Sequence, residues 1–217
     1  MFQPVGRTAR NSAYENLIPG TVLVLDPVES LRSQTCTVLR SAGYRVDEYL
    51  RASDMLNGSL PGALCCIVAS VGTAKDHGPS LIERLSERGE PLPVIFVSDR
   101  ADVLLSVRSM KAGAVDFLPR PFAGHDLLDA VTLALQIDAQ RRSVARVRQA
   151  VAERFDTLTR REQQVMDGVV RGLMNKQIAW ELQISEITVK LHRSSLMRKM
   201  ELRSVPDLVR ASMSLAA

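Results

Sequence analysis

The sequence predicts an α/β plus all-α chain: a doubly wound, five-stranded parallel sheet, then a long linker helix, then a four-helix domain. Three observations predict it. Strand-like and helix-like runs alternate five times between about residues 20 and 135, the pattern of a parallel sheet covered by helices. No Gly or Pro occurs from residue 126 to 158, so nothing interrupts one continuous helix there. Four helix starts then follow, and the charge changes sign. Residues 139–217 carry 15 Lys and Arg against 8 Asp and Glu, net +7, while the residues before them are net −3. The boundaries that follow are 1–19 for a polar, loosely ordered arm, 20–135 for the sheet domain, 136–155 for the linker and 156–217 for the basic domain.

The strands are read at residues 21–26 (TVLVLD), 44–49, 63–69 (ALCCIVA), 93–98 (PVIFVS) and 115–118. Several are unbroken apolar runs, which implies burial on both faces of a parallel sheet. Helices are read at about 30–41, 53–56, 79–88, 102–112 and from His125 onward. In the last of these, Ala130, Ala134, Ile137, Val144 and Val151 fit a 4-3 spacing with Arg141 and Arg148 intruding. That pattern fits a short parallel coiled coil between protomers, or a helix lying on its own domain.

In the basic domain, Thr159 and Glu162 have capping-box spacing, and Val165, Val169 and Val170 follow at helical period until Gly172. Asn175 is expected to cap a second helix whose inner face is Ile178, Ala179 and Leu182, with Trp180 also in the core. Gln183 and Ile184 make a turn. Ser185 then caps a third helix running to Met200, whose apolar side is Ile187, Leu196, Met197, Met200 and, in part, Leu191. Lys190, His192, Arg193, Arg198 and Lys199 are left to point outward. A cationic second helix in a helix-turn-helix suits the DNA major groove; the plainer reading is a solvated amphipathic helix. Ser204 and Asp207 start a fourth helix carrying Val205, Leu208, Val209 and Met213.

The strings LTRREQQVM, NKQIAWEL and SEITVKLHRSSLMRKM, in that order, resemble the LuxR-type DNA-binding domain, and within it the FixJ branch. The resemblance spans about sixty residues. It implies base-edge contacts from Lys190, Leu191 and Ser194, and phosphate contacts from Thr188, His192, Arg193 and Lys199. It implies double-stranded DNA as a partner, a homodimer formed through the fourth helix, RNA polymerase, and an upstream sensor protein. One departure is Gln183, where the family usually places Gly to take positive φ.

Upstream, LRSAGYRV, LPVIFVSDRADVLLSVRSMKAGAVDFL and RPF resemble the flavodoxin-like receiver domain of bacterial response regulators, with Pro121 as its cis proline. The reactive residues of that family are altered. The acidic pair becomes Asp26 and Pro27, the acceptor position is read as Ile67, the hydroxyl is Ser98, and the Lys position is Arg120. Ile67 has no nucleophilic atom. Asp26 beside a proline is a poor Mg²⁺ site, and Arg120 keeps a charge without the compact ammonium. The expectation is a phosphorylation-incompetent receiver, the alternative being that Asp76 or Ser70 accepts the phosphoryl group.

Three cysteines remain. Cys65 and Cys66 are adjacent in the third strand and face opposite sides, so one of them could meet Cys36; the plainer reading is three small buried residues in a reducing cytosol. His77, His125 and His192 have no second ligand at metal spacing. No metal and no cofactor are expected, and residues 71–78 carry no nucleotide-binding pattern. No apolar run reaches the length of a membrane span, and the N-terminal residues lack an apolar signal core, so a cytoplasmic, non-membrane protein is expected. The reading is a DNA-binding transcriptional regulator, not an enzyme. A cysteine-based redox regulator and an RNA-binding antiterminator are the rivals.

Overall fold

The computed structural model describes residues 20–71, 78–99 and 103–216. The expected arm at 1–19, the loop at 72–77 with Asp76 and His77, and the helix start at Asp102 lie outside the described residues. The chain divides after Arg141 into two compact units. No helix among the described residues is long and apolar enough to cross a membrane.

The first unit alternates β1 (Thr21–Leu25), α1 (Glu29–Ser41), β2 (Arg45–Tyr49), α2 (Ala52–Asn57), β3 (Cys65–Ser70), α3 (Gly78–Glu87), β4 (Val94–Ser98), α4 (Val103–Lys111) and β5 (Asp116–Pro119). All strands are parallel, in the order β2-β1-β3-β4-β5. Alternate strand residues serve opposite cores. Val22, Val24, Cys66, Val68, Ile95 and Val97 pack with Cys36 and Leu39 of α1. Leu23, Ile67, Ala69, Val94 and Phe96 pack with Met55 of α2 and Leu85 of α3. Both faces being buried is the reason these strands read as unbroken apolar runs.

Helix α5 (Gly124–Asp156) is continuous over 33 residues. Leu127, Val131, Leu135, Ala130 and Ala134 are buried in the first unit's core. Ala130 and Ala134, read in the sequence as part of an interhelical seam, therefore face their own sheet. Where the helix passes the sheet's lower edge, buried Asp138 accepts the Cys65 N–H at 3.0 Å and the Arg141 guanidinium at 2.7 Å.

The second unit adds α6 (Arg160–Val170), α7 (Asn175–Leu182), α8 (Glu186–Lys199) and α9 (Val205–Ala216). Its core is Val165, Met166, Val169, Ile178, Val189, Leu196, Met200 and Leu208. The Thr159–Glu162 capping box is present, the Ser185 hydroxyl accepts the Thr188 N–H at 3.0 Å, and the Ser204 hydroxyl accepts the Asp207 N–H at 3.3 Å. Gly168 is where α6 meets α7: a Cβ there would lie 2.7 Å from Ile178.

Three expectations are corrected here. Asn175 does not cap α7. The cap is Met174, whose N–H donates to Gln177 Oε1 at 2.8 Å, and Asn175 is the first helical residue. Trp180 is 83% exposed and Ile187 is 71% exposed, so neither is in the core. Both errors have one geometry. Each residue stands two positions from a buried one, Ile178 or Val189, and two positions turn about 200° around a helix, onto the opposite face.

Candidate nucleic-acid interface and receiver site

Ser185 fixes the start of α8, and the buried Val189, Leu196 and Met200 fix its rotation. The opposite side then presents Ile187, Lys190, Leu191, Ser194 and Arg198, all exposed. Their spacing of 3, 1, 3 and 4 residues places them along one helical face. The three residues assigned to base edges by resemblance, Lys190, Leu191 and Ser194, are thus side by side. Together they offer an ammonium donor, an apolar surface for a thymine methyl, and a short hydroxyl, the groups that major-groove edges can take.

The four residues assigned to phosphates behave differently. Thr188 and His192 are half-buried at the rim of that face, with the Thr188 hydroxyl 2.8 Å from that of Ser185. Arg193 donates to Asn175 Oδ1 at 3.1 Å, tying α8 to α7. Lys199 does not point outward. Its Nζ donates to Glu162 Oε2 at 2.7 Å and to the Thr157 carbonyl at 3.1 Å. Burial alone would push the Glu162 carboxyl up, but hydrogen bonds from Lys199, Ser195 and Thr159 outweigh it and hold it at about 2. A buried carboxylate draws in the nearest cation, and Lys199, the last residue of α8, can reach it.

At the C-terminal edge of the sheet, Leu25 pairs with Ala69, so the residues that leave the two strands side by side are Asp26 and Ser70. Ile67 is not there. It is fully buried in mid-strand against Leu23 and Phe96; the sequence reading ran this strand to residue 69 yet set the acceptor at Ile67, three residues before Ser70, because no carboxylate in the apolar run anchors the position. Asp26 is buried and accepts the Val28 N–H at 2.9 Å. Arg120 reaches across from the end of β5 and gathers the site. Its guanidinium meets Asp26 Oδ2 at 2.8 Å, and Ser70 Oγ and Asp99 Oδ1 at 3.3 Å each. It also lies over the Phe122 ring, 5.9 Å from the centroid. Ser98 is buried at the end of β4, and its carbonyl accepts the Arg120 N–H at 2.7 Å. The Arg120–Pro121 bond is cis.

This set does not fit the divalent cation that a receiver holds. Pro27 supplies no carboxylate, Ser70 is a neutral hydroxyl, and the buried Asp26 is already neutralised by a guanidinium that shares its hydrogen bonds. Mg²⁺ needs carboxylate oxygens with room for its own waters.

Residues 22–132 match the response regulator receiver domain family, and residues 156–212 match the luxR family of bacterial regulatory proteins. Response regulator protein TodT of Pseudomonas putida is 39% identical over 191 residues, covering 88% of this chain and 84% of TodT. Transcriptional regulatory protein FixJ of Azorhizobium caulinodans is 35% identical over 192 residues, covering 88% and 91%. The chain belongs to the FixJ/LuxR-type response regulators. The solved structure of response regulator StyR is 40% identical and superposes with a TM-score of 0.75 over 90% of this chain and 99% of that one. This response regulator is a DNA-binding regulator of transcription, and its homologues are transcription regulators rather than enzymes.

The rival readings are not favoured. Cys36 and Cys66 share one core and Cys65 lies in the other; all three are free and buried. Burial, aided by the Glu48 charge, pushes the Cys36 thiol up to about 11, and burial pushes the Cys66 thiol higher still. The thiolate is the reactive form, so neither group is poised to sense oxidants. Sequence reasoning missed Ser70 as the strand-end residue, and the Asn175–Arg193 and Glu162–Lys199 pairs. For the last of these the capping-box Glu was a usable signal, since its carboxylate is set among helix-start N–H groups and invites a cation.

Proposed function

We propose that this response regulator acts on duplex DNA without phosphorylation of its receiver domain. The observation that carries the proposal is the Arg120 guanidinium bridging Asp26, Ser70 and Asp99. A fixed cation stands where phosphoryl transfer would need Mg²⁺, and a serine stands where it would need a carboxylate. In-line transfer rests on positioning and metal-borne charge stabilisation, and neither component is available. The receiver then serves as a protein-binding platform, which an upstream sensor engages by contact alone.

The DNA-binding unit reads base edges with Lys190, Leu191 and Ser194. Thr188 and His192 contact phosphates at the rim of the same face. Three readers per protomer specify a short half-site, so a homodimer supplies the second. RNA polymerase is the remaining partner. The test is incubation of the full chain with acetyl phosphate and Mg²⁺, followed by intact-mass measurement and DNA titration. Unchanged mass and unchanged affinity are expected; an acid-labile gain of one phosphoryl group overturns the proposal.

A further inference from the structure

Among the described residues, one apolar stripe of α5 has no cover. Leu133, Ile137, Val144 and Val147 are exposed, the last two at 58% and 64%. Gln140 between them is exposed, while Val151 packs against the core of the second unit and closes the stripe. The intervals from Leu133 to Val147 are 4, 3, 4 and 3 residues, the heptad spacing of a coiled-coil seam. From residue 143 to 149 every position is exposed. A helical stretch with water on all sides and two β-branched residues draws little stability from its own propensity.

We propose that this stripe is the seam of a parallel, two-stranded coiled coil between two copies of this chain; the inference rests on the homodimer reading. Ile137 and Val144 take the a positions, and Leu133, Gln140 and Val147 the d positions. Branched residues at a favour two parallel strands, and Gln140 is the one polar residue of the stripe, whose amide meets a partner amide when the two copies are in register. In this frame Arg141 and Arg148 fall at e, outside the seam, and Arg141 is already paired with Asp138. The flanking g positions, Gln136, Ser143 and Ala150, are uncharged. In a parallel pair each Arg faces one of these neutral residues. In an antiparallel pair the e positions face each other and set Arg against Arg, so charge selects the parallel arrangement. The partner's chemistry is therefore an identical helix in the same direction.

The full chain with Gln140→Cys, and separately with Val147→Cys, is oxidised mildly and run without reductant. Both are expected to give a disulfide-linked dimer, whereas Gln149→Cys on the outward side is not; the three native thiols are buried. Sedimentation of wild type, Gln140→Leu and Val144→Glu then reads the equilibrium. Gln140→Leu is expected to lower the dimer dissociation constant at least fivefold, and Val144→Glu to raise it at least tenfold with circular dichroism unchanged. A wild-type dimer without position-dependent cross-linking overturns the seam but leaves the homodimer reading. A wild-type chain that stays monomeric at tens of micromolar, free and on DNA, overturns both.

Discussion

Lys199 and Lys190 stand nine residues apart on the same helix and have opposite employments. Lys199 is spent on the buried Glu162. Lys199→Met removes the main donor to a carboxylate that remains in the core, and should destabilise the DNA-binding unit by roughly 1–3 kcal/mol. The salt slope of DNA binding should not change, because no phosphate contact is lost; a slope shallower by about one counterion would restore the phosphate role. The same pair sets an acid limit. Glu162 is held at about 2 against an ordinary 4.5, so the unfolded chain binds its proton first. Its contribution is therefore complete above pH 4.5 and lost as pH falls towards 2. Urea melts across that window should show a fall that is smaller in Glu162→Gln. Lys190, by contrast, is exposed on the outward face of α8. Lys190→Ala should cost about 1–3 kcal/mol on the specific operator and relax preference at one position. Equal loss on specific and scrambled duplexes would make it a general anchor instead.

The turn between α7 and α8 is where an element carries strain. Gln183 has φ 53° and ψ 46°, a conformation that costs an L-residue roughly 1–2 kcal/mol. The family's usual Gly would relieve that at some entropic cost, so Gln183→Gly should stabilise by up to about 1 kcal/mol. Differential scanning calorimetry checks it; a lower melting temperature would mean the Gln side chain contributes more than its backbone costs. The turn was legible in the sequence because punctuation residues sit at fixed offsets: the Thr159–Glu162 box, Gly172, Ser185 and Ser204 all mark real helix ends. The rotation of each helix was less legible. Ile187 and Trp180 are apolar yet outward, and composition cannot tell an apolar residue kept for a partner from one kept for the core. Helix α5 repeats the lesson, since alanines that look like a seam are buried while Leu133 and Val147 are not.

For the whole molecule, the order of elements was readable because apolar period and charge act over long windows. The receiver site was not, because it depends on which residue leaves the third strand beside Asp26. Leu25 opposite Ala69 makes Ser70 that neighbour, three residues beyond Ile67, and no carboxylate within CCIVAS marks the position. The proposed phosphorylation independence sets a stepwise expectation for building a phosphoryl acceptor here. Ser70→Asp alone places a second carboxylate beside the Arg120 guanidinium, which can pair with it as it pairs with Asp26. The cation stays, the metal is kept out, and no phosphoryl group should be accepted. Ser70→Asp with Pro27→Asp and Arg120→Lys removes the planar fork, supplies the missing ligand and leaves a compact ammonium. With acetyl phosphate and Mg²⁺, the triple variant should gain an acid-labile phosphoryl mass while the single variant does not. Rapid phosphorylation of the single variant would show that Arg120 yields to Mg²⁺, and that residue 70 alone decides whether the site accepts a phosphoryl group.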